Sequence, residues 1–141
     1  MTDSLETTFE QGLERYKQGE SPETLIPCFK HICERTPKNS TAWACLAWLY
    51  LLVERPESAL KAANKSIKID NRPPQARINL ALAMLDIGAK GVRGHIEAAE
   101  RIMSLDDEIR QDIRENIADG LARKPDWKNL QRVKNWLFPL E

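Results

Sequence analysis

The chain has 141 residues, with 21 Lys plus Arg against 21 Asp plus Glu and a formal net charge of zero. That is one domain of chain with no basic excess, so a dedicated nucleic-acid binder is not expected. Apolar residues at 42% and charged residues at 30% exclude a disordered tail, the longest apolar run (residues 42–53) falls short of the roughly 20 residues of a membrane span, and three cysteines without framework spacing exclude a disulfide scaffold and point to a reducing, cytoplasmic setting. The polar, acidic N-terminus is not read as a signal peptide.

Apolar residues recur at three- and four-residue steps, and no stretch alternates as a strand would. The first helical hairpin spans about 6–39. Its turn is Gly19-Glu20-Ser21-Pro22, with Ser21 placed to cap the second helix and Pro22 to open it. Pro27 costs that helix a hydrogen bond unless it begins nearer Thr24. Pro37-Lys38-Asn39-Ser40 leads into the second hairpin, 40–73, with Asn39, Ser40 and Thr41 as cap candidates. Arg55-Pro56-Glu57 splits this hairpin and Asp70 to Pro74 ends it. The third hairpin spans about 74–109. Its halves meet at the glycine-rich turn Gly88 to Gly94, where insertions cost little. A capping helix follows over about 107–123, carrying an apolar stripe of Ile109, Ile113, Ile117 and Leu121. Lys124-Pro125 breaks the chain, with Asp126 as N-cap of a final helix over about 126–138, which Pro139 stops.

The hairpins repeat. A shift of about 34 residues, the period of helical-hairpin repeats, sets Phe9 on Trp43, Leu13 on Ala47 and Tyr16 on Tyr50. A second shift sets Leu46 on Leu80, Ala47 on Ala81 and Tyr50 on Met84. Allowing a two-residue slip in the glycine-rich turn, Ala62 falls on Ala98, Ala63 on Ala99 and Asp70 on Asp106. The segment Trp43-x-x-Leu46-Ala47-x-x-Tyr50, followed by Ala59-x-x-x-Ala63-x-x-Ser66-x-x-Ile69-Asp70, resembles a tetratricopeptide repeat. The first unit inverts the usual Leu-Gly order at Gly12-Leu13, and the third carries Arg77 at a large apolar position. The resemblance implies an all-α, right-handed superhelical solenoid of three hairpins with C-terminal capping helices, forming one domain over 1–141. It also implies a non-catalytic module that binds another protein, as an adaptor or assembly factor.

Stacked hairpins leave a concave face lined by the first helix of each repeat. The family resemblance makes that face the groove for a peptide or partner helix, with Glu10 and Glu14 acidic at one end and Trp48, Leu51, Leu52, Ile78, Leu82 and Leu85 as its apolar centre. The helix 42–53 is apolar almost all round, and such a helix is normally buried on all sides. Two covers are open: a partner segment, or the chain's own tail through Trp127, Leu130, Lys134, Trp136 and Leu137. The carboxylate clamp of chaperone-binding relatives needs Lys, Asn and Arg where this chain has Glu10, Glu14, Ala44 and Trp48, so no chaperone tail is expected. Asn79 reads as a helix-packing residue.

Other chemistry is sparse. Cys28 and His31 share a helix face, but Cys33 lies about 140° from Cys28 and a structural zinc site needs four convergent ligands, so no metal and no cofactor are expected. Lys90 and Arg93 precede a helix start without the order of a phosphate-binding loop. No nucleophile motif lies near His31 or His95. Arg123, Lys124, Lys128, Arg132 and Lys134 around Trp127 and Trp136 leave open a peripheral membrane or RNA contact. A weak homodimer sealed through the groove is also open, beside a monomer.

Overall fold

The computed structural model describes residues 5–141, with side chains from residue 8 onward. Its described residues form eight helices in chain order: α1 (Leu5–Lys17), α2 (Pro22–Arg35), α3 (Ser40–Leu52), α4 (Pro56–Ile69), α5 (Pro74–Ile87), α6 (Val92–Met103), α7 (Asp107–Arg123) and α8 (Lys128–Leu137). Each of α1 to α6 packs on its successor, and α3 also packs on α5. The first helices of successive hairpins therefore line one inner face, while α2, α4 and α6 form the outer layer.

Helix boundaries follow backbone chemistry. Pro22, Pro56 and Pro74 open α2, α4 and α5, where a missing N–H costs nothing. Of the three cap candidates before α3, Asn39 is the cap, its side chain accepting from the Ala42 N–H at 3.1 Å. Asp106 accepts from the Glu108 and Ile109 N–H groups at 2.9 and 3.2 Å and so starts α7. Gly88 (φ 72°) and Gly91 (φ 93°) take left-handed conformations that close the α5–α6 turn. Two expectations need correction. Ser21 precedes α2 but makes no side-chain cap bond; Thr24 instead donates to the Glu20 carboxylate at 2.7 Å. Asp126 is not the N-cap of α8. Trp127 takes that position without a side-chain cap, because burial of its ring, rather than a capping bond, fixes where the helix begins. α2 begins at Pro22, so Pro27 lies inside it at an exposed position.

The core is continuous along the array. Ala59, Ala62, Ala63 and Ala99 are buried on the outer-layer helices, and small residues there let α3 and α5 approach closely. α5 is buried at every position from Ile78 to Ala83, including Asn79. The last two helices do not extend the stack as a further repeat. α8 packs on α5, α6 and α7, and Trp127 of its first turn reaches Trp48 of α3. The α7–α8 hairpin thus folds back over the inner face.

Gly120 marks the closest approach of this hairpin. A Cβ there would lie 2.7 Å from Leu130 and 2.8 Å from the Trp48 ring. Gly94, inside α6, has open space around its missing Cβ. Gly94→Ala is expected to stabilise the chain by about 0.5–1 kcal/mol. Gly120→Ala gains the same helix propensity but overpacks a rigid indole, and its net effect is expected to be a loss of about 1 kcal/mol. Thermal melts of the two variants should move in opposite directions.

Where the repeat pattern calls for a large apolar residue, Arg77 sits between α5 and α6. Its guanidinium lies 2.9 Å from His95 Nδ1, and its Nε is buried without a partner. Burial, with the Arg77 charge second, holds the His95 pKa below its ordinary 6.5. A histidine depressed in the folded state favours the fold when neutral, so its contribution is present above pH 6.5 and is lost as pH falls through the folded value. The melting temperature should therefore decline below about pH 6.5, and His95→Gln should flatten that decline.

Candidate functional site

The inner face divides into a filled part and an open part. The filled part is the apolar centre. Leu51, Ile78 and Leu82 are 0% exposed, and they belong to one cluster with Trp127, Leu130, Val133, Leu137 and Phe138. Leu52 is also buried and Leu85 half-buried. In this conformation Leu51, Leu52, Ile78 and Leu82 offer no surface to a partner, since all four are buried in the core. Of the tail residues, Trp127, Leu130 and Leu137 turn inward. Lys134 and Trp136 stay half-buried, with the guanidiniums of Arg93 and Arg132 5.8 and 5.3 Å from the Trp136 ring centre.

Polar links hold the hairpin in place. The Trp48 indole N–H donates to the Tyr16 hydroxyl at 2.9 Å, and that hydroxyl donates to Asp119 of α7. Arg123 donates to Asp119 at 3.1 Å and to the Tyr16 carbonyl at 2.7 Å, with its guanidinium 3.7 Å from the Tyr16 ring centre. Burial, then the bond to Asp119, pushes the Tyr16 phenol pKa well above its usual range. Tyr16 is therefore a neutral donor to Asp119, with the Arg123 guanidinium packed against both. Further along α7, Asn116 donates to Gln75 at 3.0 Å. Gln75 donates to Asn79 at 2.8 Å, and Asn79 donates to the Ala44 carbonyl at 3.0 Å. Asn79 is thus a satisfied packing residue that relays α7 onto α5 and α3.

Beside this wall the groove stays open as a cleft of about 550 Å³, within the range of ligand-binding clefts. Leu13, Phe29, Ala44, Cys45 and Leu49 line its apolar part. Lys17, Thr41 and Gln75 edge it, and Glu115, Asn116, Asp119 and Arg123 form the α7 side. Trp48 lines it as well, so among the predicted groove residues it is Trp48 that meets the open space. Glu10 and Glu14 are exposed on α1 and do not line the cleft; the turn of α1 that does carries Leu13, Tyr16 and Lys17. The register of the repeat assigns Leu13 and Tyr16 to the core, so their role at the cleft is legible only once α7 is in place. Among the described residues no group of three His, Cys, Asp or Glu side chains could hold a metal ion, and no helix is long and apolar enough to cross a membrane.

Comparison with known proteins agrees with the geometry. Residues 28–61 match the tetratricopeptide repeat model, taking in the end of α2, all of α3 and the start of α4. No curated protein matches the chain at sequence level. Among solved structures, a type III secretion complex from Aeromonas hydrophila superposes with TM-score 0.70 at 18% identity, over 100% of this chain and 87% of that one. The type III secretion translocator chaperone SycD from Yersinia enterocolitica gives 0.69 at 17%, over 88% and 94%. The Sgt2 tetratricopeptide domain from Aspergillus fumigatus gives 0.66 at 17%, over 96% and 82%.

Cys45 reports on the cleft. Burial pushes its thiol pKa up to about 12, and the thiolate is the reactive form. With the other thiols removed in Cys28→Ser/Cys33→Ala, labelling by a disulfide reagent at pH 8 should run at least about tenfold slower than in the denatured chain. Labelling at the denatured rate would mean that the cleft opens fully to water.

Proposed function

We propose that this chain, which belongs to the tetratricopeptide repeat family, is a non-catalytic protein-interaction module that holds a short partner segment in the cleft between α1, α3, α5 and α7. Tetratricopeptide arrays serve as protein-interaction modules, and the fold supports that broad role. The observation that carries the finer reading is the cleft itself. It is an apolar concavity of about 550 Å³ on the inner face, left open where the rest of that face is filled. One or two apolar side chains fit against Leu13, Phe29 and Ala44, while Lys17, Thr41 and Gln75 stand where a segment's backbone and polar groups would lie. The exposed Glu10 and Glu14, the latter accepting from Gln18 at 3.4 Å, supply negative charge for a basic flank of the same segment. A chaperone-tail carboxylate is a poor fit. Arg123 is spent on Asp119 and Tyr16 and Asn79 on Ala44, which leaves Lys17 without a second cation for a clamp. Burial of Trp127 likewise counts against the tail as a membrane or RNA contact.

The test places a photo-crosslinking residue at Thr41, on the cleft edge, or at Lys61, exposed on the outer helix α4. A defined partner should crosslink from position 41 alone, and Ala44→Glu, which fills the cleft, should abolish the product while circular dichroism stays helical. Equal crosslinking from both positions, or a product that survives Ala44→Glu, would overturn the reading. Trp48→Glu or Leu82→Glu would be unsuitable here, since Leu82 is fully buried and a buried charge unfolds the core.

A further inference from the structure

We infer that this chain associates head to tail with further copies of itself, a basic edge formed by the α5–α6 turn and α8 meeting an acidic edge at the start of α7 in the next copy. The inference rests on neither the cleft nor the inner face, and no part of the core has to open for it.

The two edges stand at opposite ends of α6. That helix has 12 residues, a rise of about 18 Å. At its start two guanidiniums gather on one indole, Arg93 at 5.8 Å and Arg132 at 5.3 Å from the Trp136 ring centre. The ring attracts each cation, but the repulsion between them has no counter-charge in the fold. Arg132 reaches only the Asn129 side-chain oxygen, at 3.5 Å, and Arg93 pairs with no carboxylate. Lys90, before Arg93, and Lys128, one turn before Arg132, are exposed and unpaired as well. Asp86, the acid at the end of α5, already accepts from Asn129 at 2.6 Å. Glu97, one turn after Arg93, makes no bond to it. Ile87, in the same region, is 39% exposed.

The far end of α6 has the opposite sign. Leu105 is 83% exposed in its turn, and Asp106, Asp107, Glu108 and Asp112 follow, all exposed. Asp106 caps α7, and first-turn acids favour a helix start; Asp112 lies beyond that turn. The side chains of Asp107, Glu108 and Asp112 make no hydrogen bond or ion pair. Two nearby arginines are engaged elsewhere, Arg110 on the Phe138 ring and Arg114 on that ring and Glu141. Arg101, in the last turn of α6, is the minority charge here.

A chain of zero net charge thus carries its charge sorted by end. Two like edges repel, whereas the basic edge complements the acidic edge of another copy. Each edge also carries an uncovered aliphatic side chain, Ile87 or Leu105, which a junction would take out of water. The contact is heterologous, so each copy keeps one edge free for the next. A junction so small and polar is weak and screened by salt.

Sedimentation equilibrium of the full chain tests this. At about 0.5 mM protein in about 20 mM salt the weight-average mass should reach about 1.5 times the monomer or more, and return to the monomer in about 0.5 M salt. Arg93→Gln/Arg132→Gln and Asp107→Asn/Glu108→Gln/Asp112→Asn, each confirmed helical by circular dichroism, should associate about tenfold or more weakly alone. Mixed in equal amounts they should form a complex of two chains and no larger, because one intact edge from each remains. Wild type that stays monomeric in low salt would overturn the inference, as would association unmoved by salt or by both variants, or a mixture that stays monomeric while wild type assembles. So would a monomeric wild type that binds a glutamate-rich peptide through Arg93 and Arg132, which would give the basic edge to a different acidic protein.

Discussion

A helix that is apolar on every side has to be covered on every side, and α3 is such a helix. Its neighbours in the array cover three sides: α2 and α4 flank it, and α5 stacks against it. The fourth side faces the hollow of the solenoid, where Trp48, Leu51 and Leu52 would otherwise meet water. Burying each such side chain stabilises by about 1.5–3 kcal/mol, comparable to a sizeable share of a domain's net stability. The hairpin α7–α8 supplies the missing cover. Its path explains most of what distinguishes this array from a plain stack of repeats: the glycine at position 120, the tryptophan pair, and the inward-facing end of the chain at Phe138, over whose ring Arg110 and Arg114 lie.

Covering the hollow with a hairpin divides it. The apolar centre disappears under α8, while α7 becomes one wall of the remaining cleft. Tyr16, Trp48, Asp119 and Arg123 serve both sides of that division, as the lock of the hairpin and as lining of the open space. The side chains that line the cleft on this side are the same ones that hold the hairpin down.

The helical hairpins are legible in the sequence because their signals are local. Proline at the first helical position, Asn39 before α3 and glycine between α5 and α6 each act on their own backbone. The tetratricopeptide pattern is legible for the same reason, since positions four and seven residues apart must face the same neighbour. Two local signals point the wrong way. Ser21 and Asp126 carry good capping chemistry, yet neither caps: Glu20 and Thr24 satisfy each other beside Ser21, and Trp127 begins α8 by burial. At the candidate site, the surplus of apolar residues on 42–53 is plain in the sequence, but not which segment covers them. Leu13 and Tyr16 look like core residues from their spacing alone. Their place at the cleft comes from Asp119 and Arg123, more than a hundred residues away.

The sequence by itself determined the helices, their pairing into hairpins and the stacking that leaves a concave face, because each rests on spacing within about one repeat. It also determined that this face carries more apolar surface than a free groove can expose. The tertiary structure alone decided which side chains remain accessible. That choice depends on a chain reversal near residue 105 and on contacts such as Tyr16 to Asp119 and Trp48 to Trp127, between residues far apart in sequence. Such contacts leave no periodic trace, since the partners are set by how the whole array curves and not by the local order of residues.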